Sequence, residues 1–404
     1  MSGIDRREFL RRGALLGASL GLQPLAASGA IPELPPRVRG TRTLGHTGLE
    51  ISDIGFGSSS LSGDVALVHH ALERGITYFD TAESYTGGDA EETLGRALEG
   101  RRDRVVLASK TSAAAGDTRD EIMRALDASL RRLRTDRIDV YFNHAVNDTS
   151  RLKNPEWAEF ATRARAAGKI RFTGMSGHGG RLVECIDYAV ENGVADVLLV
   201  GYNFGQDPAF LQRFTAGFDF VAVQEDLPRA LLSARAKGVG VVAMKTLRGA
   251  KLNDMKPFER PGGTFAQAAF RWTLSSPNVD ALVVTMRSPE QVDEYLVASG
   301  TSVVRADLRL LERYEARNGH EQCRYGCNDC AGACPLGVPI SDVLRARMYA
   351  EDYGDVALAR RELALLASDA SACLSCAHQT CAGSCPHGLD IPALTRRAQR
   401  AIAG

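Results

Sequence analysis

Across residues 49–300 the chain alternates, eight times over, a short apolar run with an amphipathic stretch of helical period. The apolar runs occupy residues 54–58, 78–81, 105–109, 140–143, 171–175, 197–200, 241–244 and 282–284. Between them lie stretches such as residues 121–133, where Ile122, Ala125, Leu126, Leu130 and Leu133 share one face. Strands that are apolar on both sides and separated by helices belong to parallel sheets, because a parallel neighbour is reached only through a crossover. Eight such units in about 250 residues match the count and size of a closed (β/α)8 TIM barrel. A doubly wound open sheet is the competing architecture, but no GxGxxG follows the first strand. Helix starts agree with the parse: Thr118 precedes Asp120 and Glu121, and Ser288-Pro289-Glu290 offers a cap followed by proline.

Barrel chemistry sits at the C-terminal ends of the strands. The second strand ends on Asp80, with Tyr85 in the loop beyond it. The third ends on Lys110 and the fourth on His144. Singly, each has a plain explanation as a loop cap or a solvated rim residue. Together, on successive strands at one face, they form an acid–base set.

The last 82 residues carry a second signal: eight of the nine cysteines, in two runs that each end Cys-Pro. These are Cys323-x3-Cys327-x2-Cys330-x3-Cys334-Pro335 and Cys373-x2-Cys376-x4-Cys381-x3-Cys385-Pro386. Two four-thiolate sets suit a pair of 4Fe–4S clusters, since thiolate sulfur suits iron and short loops wrap the cube. In runs of this kind the cysteine before proline ligates the other cluster. That rule groups Cys323, Cys327 and Cys330 with Cys385, and Cys373, Cys376 and Cys381 with Cys334. Zinc uses similar Cys-x2-Cys pairs, and disulfides suit an oxidising compartment, so both readings stay open beside the clusters. Between the runs, Val343-Leu344, Ala357-Leu358 and Leu363-Leu365-Leu366 suggest helices broken at Pro339 and residues 352–355, a small module that metal centres hold together. The ninth cysteine, Cys185, falls in a helical pattern with Leu182, Val183, Ile186, Ala189 and Val190 and reads as ordinary core.

Residues from about 41 to 300 resemble the aldo/keto reductase superfamily. Arg42-Thr43-Leu44-Gly45-His46-Thr47-Gly48-Leu49 resembles its N-terminal hairpin, Gly168-Lys169-Ile170-Arg171 and Gly174-Met175-Ser176 its fifth strand, and Arg287-Ser288-Pro289-Glu290-Gln291 its eighth. The family's catalytic tetrad is present as Asp80, Tyr85, Lys110 and His144. With the cysteine runs, the chain resembles the branch that carries a ferredoxin-like tail. The resemblance implies carbonyl–alcohol interconversion by hydride transfer from NADP(H). Tyr85 would donate the proton, Lys110 would lower its pKa, Asp80 would hold Lys110, and His144 would orient the substrate oxygen. Ser176, Met244, Lys245, Thr246, Arg248, Arg287 and Gln291 fall where the family holds its cofactor. The cradle departs from the family pattern at three places: Gly177 replaces an asparagine, Leu199 a glutamine, and Met244 a tyrosine that stacks on the nicotinamide ring. Those departures motivate a rival expectation, an electron-transfer or docking protein whose barrel no longer turns over. A further tension is electronic, because hydride carries two electrons and each cluster one. The clusters are then structural, or serve a redox partner protein.

Asp5-Arg6-Arg7-Glu8-Phe9-Leu10-Arg11 precedes a weakly apolar stretch at residues 13–22 and the small residues Ala26-Ala27-Ser28-Gly29-Ala30. This resembles a twin-arginine signal, whose translocase exports folded proteins and so tolerates preassembled clusters. The expected organisation is a signal at 1–30, a proline-stiffened linker at 31–40, the barrel at 41–304, a connecting helix at 305–318 and the cluster module at 319–404. The expected location is periplasmic or otherwise exported, membrane-associated if the signal stays uncleaved. With 49 basic and 49 acidic side chains, no charge excess argues for nucleic acid. The partners implied are a small carbonyl or alcohol and the translocase.

Overall fold

Eight parallel strands close on themselves in the computed structural model, which describes residues 35–206, 226–248, 255–366, 368 and 370–403. The residues expected to form the export signal, and 31–34 of the expected linker, lie outside the described residues. A two-stranded antiparallel hairpin, β1 (Thr41–Thr43) and β2 (Glu50–Ser52), comes first. The barrel strands follow as β3 (Ile54–Gly57), β4 (Tyr78–Asp80), β5 (Val106–Thr111), β6 (Ile138–Asn143), β7 (Ile170–Gly177), β8 (Val197–Gly201), β9 (Gly240–Met244) and β10 (Ala281–Thr285). Each pairs in parallel with the next, and β10 returns to β3 in the register Leu282–Ile54 to Thr285–Gly57. Every strand begins and ends within two residues of the expected run. The expected barrel is therefore the observed one.

The helices form where capping and periodicity require them. Thr118 and Glu121 make a reciprocal capping box at the start of the helix Arg119–Arg132, whose Ile122, Leu126 and Leu130 are buried. Ser288 caps Pro289–Leu296, with proline at its first turn. Cys185 is fully buried on Leu182–Glu191 between Leu182, Ile186, Ala189 and Val190, and burial pushes its thiol up to about 12.

One apolar cluster fills the barrel itself, with Tyr78, Val106, Ala108, Val140, Phe142, Val197, Leu199, Val242, Ala281 and Val283. Leu44, Leu49 and Ile51 of the hairpin join that cluster and plug the N-terminal end. The plug is pinned by backbone, with His46 N–H donating to Gly238 O at 2.7 Å. Gly45 makes the approach feasible: its φ is +51°, and a β-carbon there would lie 2.3 Å from the Gly240 amide nitrogen.

The other end is covered by the tail, which belongs to one compact unit with the barrel, residues 36–404. The helix Arg305–Asn318 leads into three more, Ile340–Glu351, Val356–Ala364 and Ile391–Ala403. Pro339 and Asp355 stand at helix starts, as the expected breaks require, and Val343 and Leu344 are buried. Leu365 is not part of an apolar face but is 73% exposed, because the helix ends at Ala364. Among the described residues no helix is long and apolar enough to cross a membrane.

Gly45→Ala should destabilise the protein by about 2 kcal/mol, through both the positive φ and a clash with backbone that cannot yield. A urea midpoint equal to that of the parent chain would contradict this account of the plug.

Candidate active site

Lys110 stands at the centre of the barrel's C-terminal face with 1% of its side chain exposed. Its ammonium has three N–H groups, and three oxygens meet it: Asp80 Oδ1 at 2.6 Å, Thr81 O at 2.6 Å and Tyr85 Oη at 3.4 Å. The register places these groups together, since Asp80 of β4 pairs with Ala108 of β5, two residues before Lys110. His144, one residue beyond β6, meets the Tyr85 ring edge-on, with centroids 5.7 Å apart and an interplanar angle of 81°. The structure thus brings all four expected catalytic side chains together.

Burial would discharge Lys110, but the charges of Asp80 and Tyr85 oppose it and hold the ammonium above its ordinary value. At Tyr85 the balance falls the other way. Burial outweighs the attraction of Lys110, so the phenol sits above the usual tyrosine range rather than below it. This corrects the expectation of an acidified phenol: the protein volume around Tyr85 costs its phenolate more than one cation at 3.4 Å returns. Burial, with Lys110, Arg151 and Lys245, pushes the His144 imidazole well below its ordinary value, so His144 is neutral and keeps one N–H to donate. Tyr85 and His144 are half-buried by surface but densely ringed by protein, and the ring of protein sets their proton affinity.

Arg151 is a positioning residue that sequence reasoning missed. Its guanidinium donates to Ala113 O (2.7 Å), Ala145 O (3.0 Å), His144 O (2.8 Å) and Asn143 Oδ1, clamping the turn that carries His144. Ala145 in that turn has φ +51° and donates its N–H to Ser176 Oγ at 2.9 Å. Nothing in the sequence near His144 marks an arginine seven residues on as its brace.

The positions expected to hold the cofactor divide into open and engaged groups. Arg287 is exposed, its N–H bound to Gln291 Oε1 at 2.9 Å and its Nε to Ser60 Oγ at 3.3 Å, at the N-terminus of the helix Pro289–Leu296. That end fits a phosphate, which helix N-termini favour. Arg248 is not open. It is 4% exposed and forms a bidentate pair with Glu315 of the helix Arg305–Asn318, at 2.5 and 2.6 Å. Lys245 donates to Tyr349 Oη of the helix Ile340–Glu351 at 2.5 Å. Thr246 is buried, with no partner for its hydroxyl among the described residues. Met244 is half-buried against the barrel's inner cluster, and Leu199 lies inside it. Gly177 has a steric cause: a β-carbon there would lie 2.8 Å from Leu182 Cδ1 and 2.9 Å from Val146 O, so no asparagine fits.

The tail supplies much of the site's roof. Tyr325 presents its carbonyl to Gln206 Nε2 at 3.0 Å and its ring edge-on to His178, centroids 6.4 Å apart. Asp342 accepts from Gly180 N and Asn147 Nδ2, both at 3.1 Å. Tyr325 lies in the loop between Cys323 and Cys327, and the same loop lines a cavity of about 310 Å3, counting its open mouth. Cys323, Cys327, Cys330 and Cys385 surround that cavity, with Leu344, Leu389 and Ile391. Cys334, Cys373, Cys376 and Cys381 surround a second, of about 390 Å3 measured the same way. The fourth cysteine of each run therefore sits with the first three of the other. All eight are free thiols. Backbone amides of His378 and Gln379 hydrogen-bond the Cys376 sulfur and hold its thiol below the ordinary value, whereas burial pushes Cys330 up to about 11. At the rim of the first cavity, ligand atoms of Cys327, Asp329 and His387 lie within 4.8 Å of one another.

Comparison with known proteins agrees with the barrel. The model of the aldo/keto reductase family matches residues 40–265. L-galactose dehydrogenase of Arabidopsis thaliana is 26% identical over 293 residues, covering 64% of this chain and 87% of its own. The oxidoreductase YrpG of Bacillus subtilis (strain 168) is 28% identical over 322 residues, covering 66% and 93%. An aldo/keto reductase of Klebsiella pneumoniae, solved in complex with NADP and acetate, superposes with a TM-score of 0.53 at 27% identity, over 68% of this chain and 94% of that one. The chain is an oxidoreductase and belongs to the aldo/keto reductase family.

Proposed function

We propose that the protein reduces a carbonyl compound to an alcohol, with Tyr85 as proton donor and NADP(H) as cofactor. The contact of Lys110 with Asp80, Thr81 O and Tyr85 Oη, beside an edge-on His144, carries this reading. The dinucleotide would be held at Arg287, Gln291 and the N-terminus of Pro289–Leu296, with Ser176 toward its reactive end. A structural relative solved with NADP supports that choice. When bound, the cofactor supplies hydride to the carbonyl carbon. The chain's own work is on the oxygen: neutral His144 donates a hydrogen bond that orients it, and Tyr85 gives it a proton as negative charge develops. Lys110 then stabilises the phenolate left behind until solvent restores its proton. Asp80 keeps Lys110 charged and aimed.

Two 4Fe–4S clusters complete the reading, in the cavities lined by Cys323, Cys327, Cys330 and Cys385 and by Cys334, Cys373, Cys376 and Cys381. Four thiols per cavity, apolar walls and amide hydrogen bonds to sulfur are what such clusters need. Nothing in the barrel's acid–base chemistry uses them, so they serve the module's integrity or a redox partner. Export by the twin-arginine route is the third part of the proposal, resting on Arg6-Arg7 with Phe9-Leu10.

Each part has its own test. Tyr85→Phe should lower kcat for 4-nitrobenzaldehyde by roughly a hundredfold or more, while NADPH fluorescence still reports binding. Full turnover by that variant would remove the mechanism. The raised phenol gives a pH sign: Tyr85 holds its proton more tightly than an ordinary tyrosine, so reduction should not decline between about pH 7 and 9 for want of a donor. Cys385→Ser should cut bound iron from about eight to about four atoms per chain and spare the cluster of the second cavity, as read by iron analysis and electron paramagnetic resonance. Loss of the cluster held by Cys373, Cys376 and Cys381 instead would refute the grouping. Replacing Arg6 and Arg7 with lysine should leave the protein in the cytoplasmic fraction, and unchanged export would count against the signal.

A further inference from the structure

Arg324 is a buried arginine whose charge no group of the described protein answers. It lies between Cys323 and Cys327 and is 6% exposed. Its backbone is engaged: the carbonyl accepts from Cys327 N at 3.3 Å and from Arg345 Nη2 at 2.5 Å. Its guanidinium makes no hydrogen bond or ion pair among the described residues. An arginine cannot discharge by losing its proton, so burial leaves it a cation, and a buried cation without a partner is costly.

Arg324 lines the first cavity together with Cys323, Cys327, Cys330 and Cys385. His387 lines the same cavity. It is half-buried as a residue, but its Nε2 is buried with no hydrogen-bond partner. Arg345, 4% exposed, braces the loop by donating to Arg324 O and, at 2.8 Å, to Cys327 O, and it has its own counter-ion in Asp342 at 3.2 Å. The second cavity is lined by a basic residue of another kind, Arg396, which is half-buried and stays in contact with water. One carboxylate opposes the first group: Asp329 Oδ2 lies 3.4 Å from Cys327 Sγ, and a ligand atom of His387 lies within 4.8 Å of both. Asp329 is exposed, so solvent screens its charge, whereas the charge of Arg324 is screened much less.

Four thiolates give a 4Fe–4S cluster a net negative charge, and reduction adds one more. A cation held inside the protein therefore stabilises the reduced form more than the oxidised one, and hydrogen bonds to sulfur act in the same direction. We propose that Arg324 is the internal counter-charge of the cluster in the first cavity, and His387 a donor to its sulfur, so that the two raise the reduction potential of that cluster. The inference rests on the cluster reading and assigns it two residues outside the ligand set. It also favours electron transfer over a purely structural role, because a cluster whose added charge is balanced within the protein is built to take up an electron.

The test is a redox titration of the full chain, purified anaerobically, with electron paramagnetic resonance following each cluster. Cys385→Ser, which keeps the second cluster, identifies the signals. In Arg324→Met the ratio of reduced to oxidised first cluster, read at the parent midpoint, should fall roughly tenfold, about 59 mV for a one-electron couple. The second cluster should change less than about twofold. Arg324→Lys should keep most of the parent potential, and His387→Leu should lower the ratio by a smaller factor. If Arg324→Met does not hold the first cluster, iron that falls by about four atoms per chain and returns in Arg324→Lys supports the same role, and iron that does not return overturns it. An unchanged potential in Arg324→Met, an equal shift of both clusters, or an Arg324→Lys that behaves like the methionine variant would each overturn the assignment. Iron and acid-labile sulfide in the parent chain keep the two readings apart. About eight of each with no shift defeats this inference alone, whereas zinc without sulfide defeats the cluster reading and this inference with it.

Discussion

A lysine buried in the middle of a barrel is stable only if every part of its charge is answered. Taking an ammonium out of water costs several kcal/mol, and one carboxylate repays that only with good geometry and its remaining protons satisfied. Lys110 meets both conditions through Asp80, Thr81 O and Tyr85. The contacts come from consecutive strands, so they depend on the β4–β5 register, and the register depends on the closed barrel. Slipping β5 by one residue would turn Lys110 outward and move its neighbours into its place. The Lys110–Asp80 pair and the fold are thus specified by the same pairing. The cation does not acidify Tyr85 outright. It limits how far burial raises the phenol, and leaves the Tyr85 hydroxyl protonated at neutral pH.

The tail changes what kind of site this is. In a barrel of this sort the loops after the strands build the mouth. Here helices from beyond the barrel reach in as well, with Glu315 on Arg248, Tyr349 on Lys245, Tyr325 on His178 and Asp342 on Gly180. The two basic residues after β9 that sequence reading assigns to phosphate contacts are therefore spoken for from the other side. The open basic position is Arg287, where no tail residue makes a described hydrogen bond.

What sequence made legible follows from the range of the interactions involved. The strands were readable because apolar runs and helical periods are local, and Asp80, Lys110 and His144 because each sits at a strand end, with Tyr85 in the loop just past the first of them. The grouping of cysteines was readable because each run ends Cys-Pro, and in such runs that last cysteine serves the other set. Pairs such as Lys245 with Tyr349, 104 residues apart, or Arg248 with Glu315, 67 apart, leave no local trace. The Tyr85 proton affinity was misjudged for a similar reason: the neighbouring cation is visible in the sequence, but the surrounding protein volume is not. Gly177 appeared as a missing asparagine and proved to be a place where the carbonyl of Val146 leaves no room for one.

The seam between barrel and tail is built largely from polar contacts, and this bears on why the tail sits in one way. Arg248 pairs across it with Glu315 and is 4% exposed, and the Asp342 carboxylate reaches Gly180 N and Asn147 Nδ2. Such pairs add little net stability over apolar packing, because desolvation consumes most of what attraction provides. Their effect lies in the alternatives. Shifting the helix Ile340–Glu351 by one turn would take Asp342 from Gly180 and Asn147 and lift Tyr349 from Lys245, leaving several polar groups unpaired at once. A greasy seam would tolerate that slip, whereas a charged one does not. The orientation that sets Tyr349 over the barrel mouth, and the Cys323–Cys327 loop against His178, is therefore held by the cost of every neighbouring seat.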